Sequence, residues 1–289
     1  MKIGENSYVD KSAIIGQNVI IGNNVRIGEN VTIGDETQIQ DGTIICSDTN
    51  IGSHCYLDFG CIIRENVSLG NNAFVGARCI LGEYLVDFIS ERVKNIHKTV
   101  IGNDAVIRSE TIIYGENLIG DSFQTGHRVT IREKSKIGRN VRIGTLSDIQ
   151  GDCEIGNYVN MHSNVHIGQK SVIKDYVWIF PYVILTNDPN PPSNQLLGVT
   201  VEEFAVVATG TIVLPGKTIG RDSLVGAAAT VTKDVPAGKV VVGSPIKELG
   251  DTKDIINKST GEAVYPWRYH FDRGMPWKGI GYDEWSYKK

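Results

Sequence analysis

No stretch of this chain is apolar enough and long enough to span a membrane. It has no basic tract either. Lys and Arg are dispersed and the formal net charge is −4, which argues against a general nucleic-acid binder. No leader of signal-peptide type precedes the first pattern, which starts at Ile3-Gly4, so a cytoplasmic location is expected. Proline is scarce, and three of its nine occurrences fall within residues 189–192. Of four tryptophans, Trp267, Trp277 and Trp285 lie near the C-terminus. Five cysteines raise a metal or a disulfide, but Cys55, Cys61, Cys79 and Cys153 all occupy one position of the pattern below. They read as small buried hydrophobes.

The pattern that is present has a period of six, which is neither helical nor heptad. Aliphatic residues fall at every sixth position from Ile3 to Leu81. The series resumes from Ile101 to Leu185, with only Thr125 and Met161 deviating, and again from Val201 to Val231. A small residue usually stands two places before each aliphatic, as at Ala13, Val25, Thr111 and Ala229. Glycine often follows it, as at Gly22, Gly102 and Gly144. Such hexads predict a triangular prism in which each hexad gives one short strand and one corner. Three hexads make a coil, so residue i stacks on i+18, about 4.8 Å away. The aliphatic and small residues point inward. The glycines are expected to relieve corners of unusual φ.

Breaks in a solenoid mark loops and sites. Leu81 to Ile101 is not a multiple of six. Leu85, Phe88, Ile89, Val93 and Ile96 there have helical spacing, so a short helix outside the prism or a plain connector is expected. Between Leu185 and Val201 the run Thr186-Asn187-Asp188-Pro189-Asn190-Pro191-Pro192-Ser193 cannot continue a ladder and must loop out. Residues 251–289 are aperiodic, and a cap for the open end is expected. The organisation is therefore 1–82, N-terminal coils; 83–100, insertion; 101–250, the candidate catalytic β-helix with loop 186–200; and 251–289, the tail.

The stretch "VTKDVPAGKVVVGSPIKEL" (231–249) resembles the end of the β-helix in many acetyl-CoA-dependent hexapeptide-repeat acyltransferases. Residues 119–200, with "TLSDIQGDCEIGNYVNMHSNVHIGQKSVIKDYVWIFPYVILTNDPNPPS", are similar to nucleotide-linked amino-sugar N-acyltransferases, in particular those acting on a dTDP-3-amino-3,6-dideoxyhexose. The resemblance covers about residues 101–250. It implies an all-β, left-handed parallel β-helix, a homotrimer with sites between neighbouring prisms, and acetyl-CoA or another acyl-CoA as co-substrate. A nucleotide sugar is the implied acceptor, and no metal is expected.

Acyl transfer from a thioester to an amine needs a neutral amine, alignment and a stabilised oxyanion. The register stacks Gln169 under Asn187 and Lys170 under Asp188, where the proline loop departs, with His162 on the coil below. His162 and Asp188 are the candidate bases. Gln169, Asn187, Asn164 and His127 are the candidate acceptor-binding groups. Where the family holds a carboxylate at the position of Gln169, this chain has an amide, which cannot act as a base. Asp148 is expected beneath His166 as an orienting or purely exterior pair. Two runs of small residues 18 apart, at Ala208–Thr211 and Gly226–Ala229, leave room for a pantetheine arm. Ala208, Gly210 and Ala228 are assigned to it, and Lys233 and Lys247 to the CoA phosphates. Alternatives are a sugar O-acetyltransferase and a trimeric γ-carbonic-anhydrase-like zinc enzyme using His127, His162 and His166. A hexad scaffold without activity is a further alternative.

Overall fold

A computed structural model describes residues 2–92 and 97–288. The hexads fold as the register requires. Three sheets of 14, 12 and 11 strands form the three faces of a prism, all parallel except for the last strand of the first. Consecutive strands pass from one face to the next, and partners lie 18 residues apart: Ile3 pairs with Ile21 on the first face, Val9 with Ile27 on the second and Ile15 with Ile33 on the third. The chain is an all-β hexapeptide-repeat β-helix of the left-handed type.

The inward aliphatics form one continuous core. Ile27, Ile45, Ile131, Ile149 and Ile179 are fully buried. Polar residues at the inward small position bond the next coil, as where Thr37 Oγ1 donates to the Gly52 carbonyl at 2.9 Å, or their own turn, as where Ser171 Oγ donates to the Gly168 carbonyl at 2.7 Å. The buried cysteines do the same, with Cys79 Sγ 3.2 Å from the Arg108 carbonyl. Burial pushes the thiols up, Cys61 to about 12 and Cys79 and Cys153 to about 11. They are therefore packing groups with little thiolate.

The glycines correct one expectation. Those that follow the aliphatic within regular hexads, such as Gly22, Gly102 and Gly144, do not take the unusual φ; Gly82, at the first break, does, at φ +80. In the regular hexads that role falls two residues later, on Asn24, Asn140, Asn164 and their equivalents, these three near φ +55 to +58. The glycine is there because the next coil passes so close. A Cβ on Gly144 would lie 2.4 Å from the His162 carbonyl carbon and 2.5 Å from the Ser163 nitrogen.

At the first break, Leu69 pairs with Ile101, so the excess residues loop outside. Helix α1 (Val86–Glu91) forms there with no buried residue. Val93 and Ile96 of the expected helix lie outside the described residues. His97 clamps the insertion, its Nε2 2.8 Å from Asp87 Oδ2 and its Nδ1 2.8 Å from Glu116 Oε1. At the second break Ile173 pairs with Val201, and the proline loop stands out from the edge between the second and third faces.

The tail behaves differently from a simple cap. The last parallel strand of the first face (Lys239–Val242) is closed by an antiparallel strand (Lys247–Asp251). Beyond it the chain turns back along the outside of the first face, ending in helix α2 (Tyr282–Tyr287). Trp267, Met275 and Trp277 bury themselves against Tyr176, Phe204 and Val206. Trp267 Nε1 donates to the Phe204 carbonyl at 2.8 Å, and Arg268 pairs with Asp222. Hydrophobic side chains on the outer surface of that face drew the tail there.

Candidate active site

The faces sort the candidate residues onto two different edges. The turn after each first-face strand makes the edge between the first and second faces. His127, His162 and Asn164 lie on it, and Ala208, Gly210 and Ala228 lie higher on the same edge. The turn after each second-face strand makes the next edge, which carries Gln169, Asn187, Asp188 and Lys233. The expected cluster of His162 with the loop residues is therefore not assembled within one chain. The register placed residues along the prism correctly, but the second face, with Ile167 and Leu185 at its core, separates the two groups. Lys247 sits in the closing antiparallel strand.

The loop holds itself together. The Asp188 carboxylate accepts from the Asn190 amide at 2.9 Å, the Ser193 amide at 2.8 Å and Ser193 Oγ at 2.6 Å. These bonds, the Ser193 hydroxyl first, hold the carboxyl below its usual range. A carboxylate so stabilised is a poor proton acceptor near neutrality. The loop's neck is closed by the Leu197 amide donating to the Asn187 carbonyl at 2.7 Å. Asp188 thus has the geometry of a loop anchor rather than of the expected base.

His166 pairs with Asp148 as the register requires, Nδ1 to Oδ2 at 3.2 Å. Burial alone would raise Asp148, but hydrogen bonds from His166 and Gln150 outweigh it and hold the carboxyl low. The pair lies on the outer surface of the second face. His127, His162 and His166 therefore do not converge within one chain.

His162 has a different setting. Its ring stacks on Phe180, centroids 4.7 Å apart with planes at 14°, and sits 6.3 Å from the Trp178 ring. Partial burial pushes the imidazole below its ordinary value, which favours its neutral, proton-accepting form. It stands at the mouth of a cleft of about 490 Å³ between the first face and the tail. Trp178, Phe180 and Val206 form the prism side, and Val264, Tyr265, Trp267, Phe271 and Arg273 form the tail side. Sequence reasoning missed all of these. A signal was present: the outward positions of three successive first-face strands, after Gln124, Arg142 and Asn160 in the coils before them, hold Trp178, Val206 and Leu224, and the neighbouring corners hold Tyr158, Tyr176 and Phe204.

The same edge also presents unpaired backbone donors. In the second turn residue the N–H commonly bonds a side chain 18 residues on, as from Asn23 to Asp41 Oδ1 at 2.7 Å and from His127 to Thr145 Oγ1 at 3.2 Å. For Ser163 and Thr209 the stacked residues are Pro181 and Ala227, which carry no acceptor. Among the described residues their N–H groups meet none. Gly210, at φ +72, would place a Cβ in open space, so the edge above His162 is low and accessible.

Comparison with known proteins agrees with the sequence resemblance. The model of the GMPPB C-terminal domain matches residues 3–120, and that of the bacterial transferase hexapeptide (six repeats) matches residues 134–169. The chain is 30% identical over 174 residues to the bifunctional protein GlmU of Heliobacterium modesticaldum, covering 50% of this chain and 38% of that one. It is 33% identical over 99 residues to a 2,3,4,5-tetrahydropyridine-2,6-dicarboxylate N-acetyltransferase of Staphylococcus aureus, covering 32% and 36%. A solved structure of perosamine N-acetyltransferase from Caulobacter crescentus, in complex with CoA and GDP-perosamine, is 25% identical, covers 53% of this chain and 59% of that one, and has a TM-score of 0.35. The chain spans well under half the length of the two curated relatives. It is a hexapeptide-repeat chain that resembles acyltransferases. Among the described residues no helix is long and apolar enough to cross a membrane.

Proposed function

We propose that the chain transfers an acyl group from an acyl-CoA to the amino group of a nucleotide-linked sugar. The observation that carries this reading is the placement of the His162 imidazole, which lines a cleft and lies on the same edge as the small-residue strip Ala208, Gly210 and Ala228. Stacked coils put Ala208 about 10 Å above His162, two strand spacings, within reach of an extended pantetheine arm along the edge. The N-acetyltransferase relative supports acyl transfer to nitrogen. The resemblance over residues 119–200 supports the nucleotide-linked acceptor.

In this reading the sugar amine attacks the thioester carbon as a C–N bond forms. His162 accepts the proton the amine loses. A free backbone N–H of the edge, at Ser163 or Thr209, stabilises the oxyanion. The C–S bond then breaks, and the CoA thiolate leaves with the proton returned from His162. Gln169 and Asn187 serve the acceptor from a neighbouring copy, whose loop edge faces the His162 edge. A homotrimer closes such a heterologous contact into a ring.

Release of free CoA thiol is the test, with acyl-CoA donors and a panel of nucleotide amino sugars. His162→Ala is expected to slow transfer by roughly 10²–10⁴-fold if it is the base. Absence of any thiol release, together with no thermal shift on adding CoA, would refute the proposal.

A further inference from the structure

The aromatic cleft next to His162 is far larger than an acetyl group requires. A methyl group has about the bulk of one water, whose share of liquid volume is roughly 30 Å³. The cleft measures about 490 Å³. Resting on the acyl-CoA reading above, we infer that this cleft receives the acyl chain, and that the preferred donor is a CoA thioester of an apolar acid of about four carbons or more, a size such a pocket can enclose.

The cleft opens directly onto the donor edge. His162 and Phe180 belong both to the cleft and to the edge along which the donor arm runs. Val206, in the wall, is two residues before Ala208. A thioester carbon held beside His162 therefore directs its acyl chain into the cleft while CoA stays on the edge.

The shape and chemistry of the walls select the same guest. The Trp178 ring meets Trp267 at 86° and Phe271 at 85°, with centroids 6.1 and 5.5 Å apart. Trp267 meets Phe271 at 68°. Rings set edge to face make a box, whereas a flat nucleobase calls for two parallel plates. The walls are so short of acceptors that the buried Trp178 Nε1–H finds none among the described residues. The N–H groups of a base would fare no better. A quaternary or protonated amine, the other guest of aromatic boxes, is opposed by Arg273, whose guanidinium lies 5.4 Å from the Phe271 centroid. An uncharged aliphatic chain satisfies the walls as they stand.

Titration calorimetry of the full chain with CoA, acetyl-CoA and isovaleryl-CoA tests this. Isovaleryl-CoA is expected to bind roughly fiftyfold tighter than acetyl-CoA, because three further carbons leave water. Val264→Trp fills the cleft from the tail side and is expected to bring that ratio to one or below. Phe271→Ala, which opens the box, is expected to reduce it. If all three ligands bind the wild-type chain within twofold of one another, the acyl subsite is wrong and the acyl-CoA reading stands. A ratio untouched by Val264→Trp likewise overturns the subsite. Failure of CoA and both thioesters to bind overturns the acyl-CoA reading beneath it.

Discussion

Replacing Gly144 with alanine should damage the fold and the site together. The new Cβ would lie 2.4, 2.5 and 2.7 Å from the His162 carbonyl carbon, the Ser163 nitrogen and the His162 oxygen. All three are backbone atoms, so no side chain can rotate away. Relief requires the two coils to part locally by about 1 Å, and that pulls on the bond from the Gly144 amide to the Met161 carbonyl, now 2.9 Å. Overpacking of this kind costs about 1–3 kcal/mol, and a rigid obstacle argues for the upper end. The same movement displaces His162, and a misplacement of about 1 Å can slow the reaction around 10²-fold. Gly210→Ala is the control. Its Cβ meets nothing, and only its φ of +72 opposes the change. Ala228, on the next coil, already holds φ 56, so about 1 kcal/mol is expected. Urea melts of both variants compare the costs. Solenoids can lose two-state behaviour, so exchange of the His162 amide, bonded to Ile179 at 2.8 Å, gives a local readout. If Gly144→Ala is no more destabilising than Gly210→Ala, close coil approach is not what selects these glycines.

Three further outcomes are expected. Burial lowers the His162 pKa, so its active neutral form persists below 6.5, the ordinary histidine value; kcat/KM should hold through neutrality and fall only on the acid side of it, a limb that His162→Ala abolishes. Asp188→Asn removes part of the loop's own bonding, so the acceptor KM should rise while turnover changes little; turnover slowed by roughly a hundredfold or more at unchanged KM would make Asp188 the base after all. His97 is raised above 6.5, because its bonds to Glu116 and Asp87 outweigh the opposing effect of burial. The stability it gives the insertion is complete below about 6.5, the unfolded value, and is lost as pH rises through the folded value, so amide exchange in α1 should quicken across that window and lose this dependence in His97→Gln.

The period of six in the sequence determined the prism, its inward residues, the stack of 18, both insertions and the His166–Asp148 pair. Each is a local consequence of one short strand and one corner per hexad, repeated. The same arithmetic placed His162, Ala208, Gly210 and Ala228 at turns, and their shared edge could have been read from the faces they follow. Three things belonged to the tertiary structure. The choice of glycine after the aliphatic depends on contact between coils, as at Gly144, and not on the backbone angle of the residue itself. The role of Asp188 depends on how an aperiodic loop folds back on its own carboxylate. The cleft depends on where the tail lies, and no periodic rule reaches from Trp267 and Phe271 to Trp178. That docking is fixed by the aromatic cluster of Tyr176, Trp178 and Phe204 at the first face, a match between distant segments that exists only once both are folded.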